Sequence, residues 1–123
     1  MPRTFLLFAA FFGFTAIALG AFAAHGLKSR LPTEMLAVFQ TGVQYQMLHA
    51  LALLMLALFA RHTGGLALLA AGALFVLGIV LFSGSLYWLA LTGTRGLGMI
   101  TPMGGLAFLA GWFCIGIVGW RFV

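Results

Sequence analysis

Between Phe39 and Ala60 the chain reads FQTGVQYQMLHALALLMLALFA. Thr41, Tyr45 and His49 recur every four residues, the spacing that stacks side chains on one face of a helix. Gln40 and Gln44 lie on an adjacent face, and Gln46 follows Tyr45 directly. Ser83 and Tyr87 are likewise four apart, while His25 and Thr101 stand near the ends of apolar runs. Side chains of these types can bond a lipid headgroup or a small polar ligand, pass a proton, or ligate a metal through imidazole. Yet eleven residues without a polar side chain, Ala50 to Ala60, follow at once.

Other chemistry is poorly provided for. Glu34 is the single acid, which excludes a pair of carboxylates working as acid and base. Three His and one Cys show no spacing of a zinc site. His25 and His49 could in principle hold a haem between two helices, but no supporting signature accompanies them. No Ser-His-acid or Cys-His arrangement and no phosphate loop is visible, so neither a catalytic residue nor a cofactor is expected. Cys114 lies within an apolar run and reads as a small packing residue.

The elements that must carry these residues follow from composition. The 123-residue chain is 64% hydrophobic and 6% charged, whereas soluble domains are about 25% charged. So small a soluble fold could not hide that much apolar surface, and the chain reads as membrane-embedded. Its net charge of +5 comes from basic residues scattered singly or in a pair outside the apolar runs, not from a clustered face. That pattern fits headgroup contact and argues against nucleic acid as a partner.

A spanning helix needs about 20 mostly apolar residues. Four stretches qualify, at about 4–24, 42–60, 66–91 and 100–120, separated by HGLKSRLPTE, RHTGG and TGTRGLG. Connections this short make neighbouring spans antiparallel, so the expected fold is an all-α, up-down-up-down four-helix transmembrane bundle in one domain. Pro32, Thr33 and Glu34 suit a first helical turn, and residues 32–42 are expected to form a short interfacial helix before span two. Unbroken from Pro32 to Ala60, that helix would measure about 44 Å, and Gly42 is the expected hinge. The start, MPR before an apolar run ending AFAA, resembles a signal peptide, but 21 apolar residues can span and are read as the first helix. Basic residues divide three against three between the two sides, and Arg3 ahead of the first run favours cytoplasmic termini.

Small residues at helical spacing mark close contacts between helices in lipid. Ala9, Gly13, Ala16, Gly20 and Ala24 form one such stripe, Ala67, Ala71, Gly78 and Ser85 a second, and Gly104, Gly111 and Gly119 a third. They point to tight packing, either within the bundle or against another copy.

An antiparallel bundle gathers four helix ends on each side of the membrane, and the polar residues collect on one of them. The expected pocket there consists of His25, Gln44, Tyr45, His49, Ser83, Tyr87 and Thr101. The plainer reading is that such groups meet interfacial water or bond across helices, and it is preferred for Gln40 and Gln46. For Tyr45 and His49 function and structure stand even, because ionisable groups within a membrane default to a functional reading. His25 follows a helix end and fits solvation or capping, and Tyr87 and Trp88 fit interface aromatics.

The segments GAFAAHGL, FQTGVQYQMLHALALL, LFSGSLYWLALTG and ITPMGGLAFLAGW together resemble the small membrane proteins grouped as domain of unknown function 423, with the eukaryotic transmembrane protein 256 as a relative. The one departure is at Ala23 or Ala24, where Gly is expected. The resemblance implies a four-span inner-membrane protein and supplies no activity. The leading expectation is a non-enzymatic bundle, homo-oligomeric or an accessory subunit of a larger membrane complex, whose polar pocket takes a headgroup, a small ligand or a partner segment. The alternative is an oligomeric transporter or channel for protons or small solutes, against which the apolar second half of span two argues.

Overall fold

A computed structural model describes residues 1–122 and contains four long apolar helices: α1 (Pro2–Leu27), α2 (Thr33–Phe59), α3 (Leu66–Thr92) and α4 (Ile100–Phe122). Each is long and apolar enough to cross a membrane. Pro2 sits in the first turn of α1, where a missing N–H costs nothing. The connections use glycine where the backbone requires it. Gly65 (φ 112°) starts α3, and Gly93 (φ 71°) ends it in the left-handed region, its N–H donating to the Leu89 carbonyl at 2.8 Å.

The second span departs from expectation. Pro32 is extended (ψ 152°), and from Thr33 onward the helix runs unbroken to Phe59 with Glu34 in its first turn. There is no separate interfacial helix over 32–42 and no hinge at Gly42. Residues 35–45 contain no proline, and the lone Gly42 is held within the ladder by the packing described below. At 1.5 Å per residue α2 is about 40 Å long, so its first turns project beyond a hydrocarbon core of about 30 Å or the helix tilts.

Consecutive helices are antiparallel. α1 packs along α2, α4 packs along α3, and α2 meets α3 mainly through the second half of α3. The main core joins Phe5 and Phe12 of α1, Leu53 and Leu56 of α2, Leu68, Phe75 and Ile79 of α3, and Phe108 of α4. A second, smaller cluster around Leu27, Phe39 and Ala90 closes the end bearing the 28–32 and 93–99 connections. Two helices loosen into a π-helical turn, Ala23–Leu27 at the end of α1 and Ile79–Ser83 inside α3. The second lies where α3 is gripped from both sides, Ser83 turning to α2 and Phe82 to α4.

Candidate functional site: an inter-helix polar network

Gln46 is the hub. Its side-chain amide donates to the Phe12 carbonyl (3.0 Å) and to Thr15 Oγ1 (2.7 Å) of α1, and its Oε1 accepts from the Tyr87 hydroxyl (2.6 Å) of α3. One buried amide therefore ties three helices together. Thr15 in turn donates to the Phe11 carbonyl (2.9 Å), so its hydroxyl is also spent. The Tyr87 ring is placed by Phe39, with centroids 4.8 Å apart, and by the bare backbone of Gly42. A Cβ at Gly42 would lie 2.7 Å from Tyr87 Cε1. Beside it, the fully buried Ser83 donates to the Gly42 carbonyl at 2.7 Å. Gly42 is thus a contact point.

His49 lies one turn further along α2 and is buried. Nδ1 is 2.8 Å from the Tyr45 carbonyl, and Nε2 is 3.1 Å from the Trp112 indole nitrogen. A carbonyl only accepts and an indole N–H only donates, which assigns a neutral ring with its proton on Nδ1. The ring stacks on Phe108 (3.7 Å, 9°) and meets Phe75 edge-on at 5.1 Å. Its partner Trp112 stands near the middle of α4. His49 is therefore at mid-bundle depth.

The α3–α4 contact has its own hydroxyl pair. Ser85 bonds both the Phe82 carbonyl (2.9 Å) and Thr101. Among the described residues no buried side-chain nitrogen or oxygen lacks a partner.

The residues singled out from the sequence separate into two groups. Gln46, His49, Ser83, Tyr87 and Thr101 bond across helices or within the aromatic core. His25 and Gln44 are exposed, and Tyr45 is 39% exposed with its ring against Phe82 at 4.8 Å. Thr41 bonds back to the Ala37 carbonyl of its own helix. Gln40 is exposed, whereas Gln46 does bond across helices. Thr15 and Trp112 are participants that sequence reasoning missed. Thr15 carried a legible signal, as the one polar side chain in the interior of the first run.

The glycine stripes resolve in the same way. A Cβ at Gly20 would meet Val43 at 3.3 Å, one at Gly78 the Phe108 ring, one at Gly104 the backbone of Phe82, and one at Gly111 Phe75 at 2.6 Å. Gly13 and Gly119 have nothing within 4 Å.

Two cavities adjoin the network. On the polar side, a cavity of about 200 Å³ is lined in part by Ser85, Thr94, Arg95 and Thr101. Toward the other side, an apolar groove of about 430 Å³ lies between α2 and α4, with Leu68 of α3 also in its wall.

Residues 19–105 match the family described as protein of unknown function (DUF423). The chain is 43% identical to the UPF0382 membrane protein YwdK of Bacillus subtilis, covering 98% of this chain and 99% of the relative. It is 44% identical to a UPF0382 membrane protein of Haemophilus influenzae over 94% of this chain and 92% of that one. It is also 44% identical to the UPF0382 inner membrane protein YgdD of Escherichia coli, over 89% and 84% respectively. No solved structure matches.

Proposed function

The chain belongs to the DUF423 family, the UPF0382 membrane proteins, and from that premise we propose that it is a non-enzymatic accessory bundle of the inner membrane. It offers surfaces to lipid and to neighbouring chains and passes no solute. The observation that carries this reading is the complete internal use of the buried polar groups. A proton or solute path needs side chains that can exchange partners with water or cargo. Here Gln46 uses both its donor and its acceptor ends, and both ring nitrogens of His49 are taken. Beyond His49 the core continues as Leu53, Leu56 and Leu68. No polar step follows.

In this reading the polar end has two parts. Gln46, His49, Ser83 and Tyr87 fasten the helices. Binding falls to the outer residues, His25, Gln44 and Tyr45, and to the cavity bearing Thr94, Arg95 and Thr101, where a cation beside hydroxyls suits a phosphate-bearing headgroup. Open faces are available for association with a second copy or another membrane protein. Phe11 and Phe14 on α1 and Phe113 and Trp120 on α4 are exposed, and Gly13 has nothing within 4 Å of a Cβ placed on it.

Reconstituted vesicles test the proposal. Proton and small-solute fluxes are expected to equal those of protein-free vesicles. Uptake that His49→Ala abolishes would overturn it in favour of transport.

A further inference from the structure

The groove between α2 and α4 lies in the half of the bundle away from the polar end. α2 and α4 come together where His49 stacks on Phe108 and bonds Trp112. Past that point Met55, Leu56 and Phe59 line one wall, Trp112 and Ile115 the other, with Leu68 of α3 also lining the space. Every lining residue is apolar, and Gly119 adds no side chain where the groove nears the end of α4. Water gains no partners in such a space. Left empty, the walls would forfeit their dispersion contacts. Open to the side in a bilayer, the groove will hold hydrocarbon.

The charges at its mouth specify which hydrocarbon. Phe59 and Gly119 lie at the ends of the two walls, and two residues beyond them stand Arg61 and Arg121, both exposed. The approach of Gly65 to the Phe122 ring, 3.8 Å from a Cβ placed on Gly65, brings the α2–α3 connection beside the end of α4. His62 lies on the same connection. The only acid, Glu34, is in the first turn of α2, at the opposite end of a helix about 40 Å long. Among the described residues no acidic side chain stands near these cations.

We propose that this groove is a binding site for one acyl chain of an anionic phospholipid from the surrounding leaflet, whose phosphate is held by Arg61 and Arg121. The Trp112 indole closes the inner end of the site and touches the chain. The inference concerns the opposite leaflet from the headgroup cavity above and is independent of whether the bundle transports anything.

Trp112 provides the readout. With Trp88→Phe and Trp120→Phe, both at exposed positions, Trp112 is the sole tryptophan. The protein is reconstituted in bilayers carrying phosphatidylglycerol or phosphatidylcholine brominated in mid-chain, and fluorescence quenching is titrated against mole fraction. Brominated phosphatidylglycerol is expected to quench Trp112 at lower mole fraction, by about fivefold for each arginine engaged at low salt. Arg61→Gln with Arg121→Gln should bring the two lipids level while helical circular dichroism is unchanged. Gly119→Leu, which fills the groove, should weaken quenching by both. Equal quenching by the two lipids in the unaltered arginine background would overturn the proposal. So would a preference that survives both arginine substitutions. Absence of quenching by either lipid would also overturn it and would mean that a protein segment fills the groove.

Discussion

Replacing Gln46 by leucine removes three inter-helix hydrogen bonds while nearly preserving side-chain volume. The lost partners are not equivalent. The Phe12 carbonyl keeps its place in the helix ladder, and Thr15 keeps its bond to the Phe11 carbonyl at 2.9 Å. The Tyr87 hydroxyl, which donates to Gln46 at 2.6 Å, loses its acceptor beneath Phe39 and Gly42. Side-chain bonds between membrane helices average about 0.6 kcal/mol each, so three amount to about 2 kcal/mol. Stranding this half-buried hydroxyl adds about 1 kcal/mol. Gln46→Leu should therefore cost about 3 kcal/mol in reversible unfolding measured in bicelles or mixed micelles. Tyr87→Phe removes the stranded group, and the Tyr87–Gln46 bond is lost in both single variants, so the double variant should lose about 1.6 kcal/mol less than the sum of the two single losses. A loss below about 0.5 kcal/mol for Gln46→Leu, or strict additivity across the cycle, would refute the assignment of Gln46 as the tie between three helices.

Other perturbations grade the rest of the bundle, all read by the same unfolding assay. Gly104→Ala should cost about 2 kcal/mol, because the new methyl meets the Phe82 backbone, which cannot rotate away as a side chain can. Gly13→Ala and Gly116→Ala, with nothing within 4 Å, should leave stability within about 0.5 kcal/mol. Trp112→Phe keeps an aromatic ring but withdraws the indole donor from His49, and a loss of about 1 kcal/mol is expected. Ser83→Ala removes only a bond to a helix carbonyl and should cost about 0.6 kcal/mol.

Run length against hydrocarbon thickness made the four spans legible, since Leu66–Thr92 and its companions have few other ways to bury their surface. The start of α2 differs from expectation for a physical reason. Thr33 and Glu34 satisfy a helix N-terminus equally well in an interfacial helix and in the first turn of a long span. Helical periodicity correctly groups Ser83 with Tyr87 on one face, but it is silent on which face of another helix they meet. That relation depends on crossing points, and here Gly42 sets one by yielding space to the Tyr87 ring. Bonding across helices is the reading the sequence supports for Gln46, but periodicity alone does not distinguish it from its equally polar neighbours Gln44 and Tyr45. Burial separates them: Gln46 is 3% exposed and Tyr45 39%. Trp112 carried no signal at all, as an aromatic residue in an apolar run whose single polar atom happens to face His49. The small-residue stripes were legible as seams, and the partners that fill them became visible only once the helices were placed.

Whether water reaches the buried polar side chains decides between a sealed bundle and an open path. Solid-state NMR of the protein in lipid bilayers, with magnetisation transferred from water, measures this at the Gln46 amide and the His49 imidazole. Both should remain dark at mixing times that already label Arg61, Arg95 and the other residues of the connections, and His49 should show a neutral ring protonated on Nδ1. Prompt transfer from water to Gln46 and His49, or a ring protonated on Nε2, would contradict the sealed network and reopen a path through the bundle.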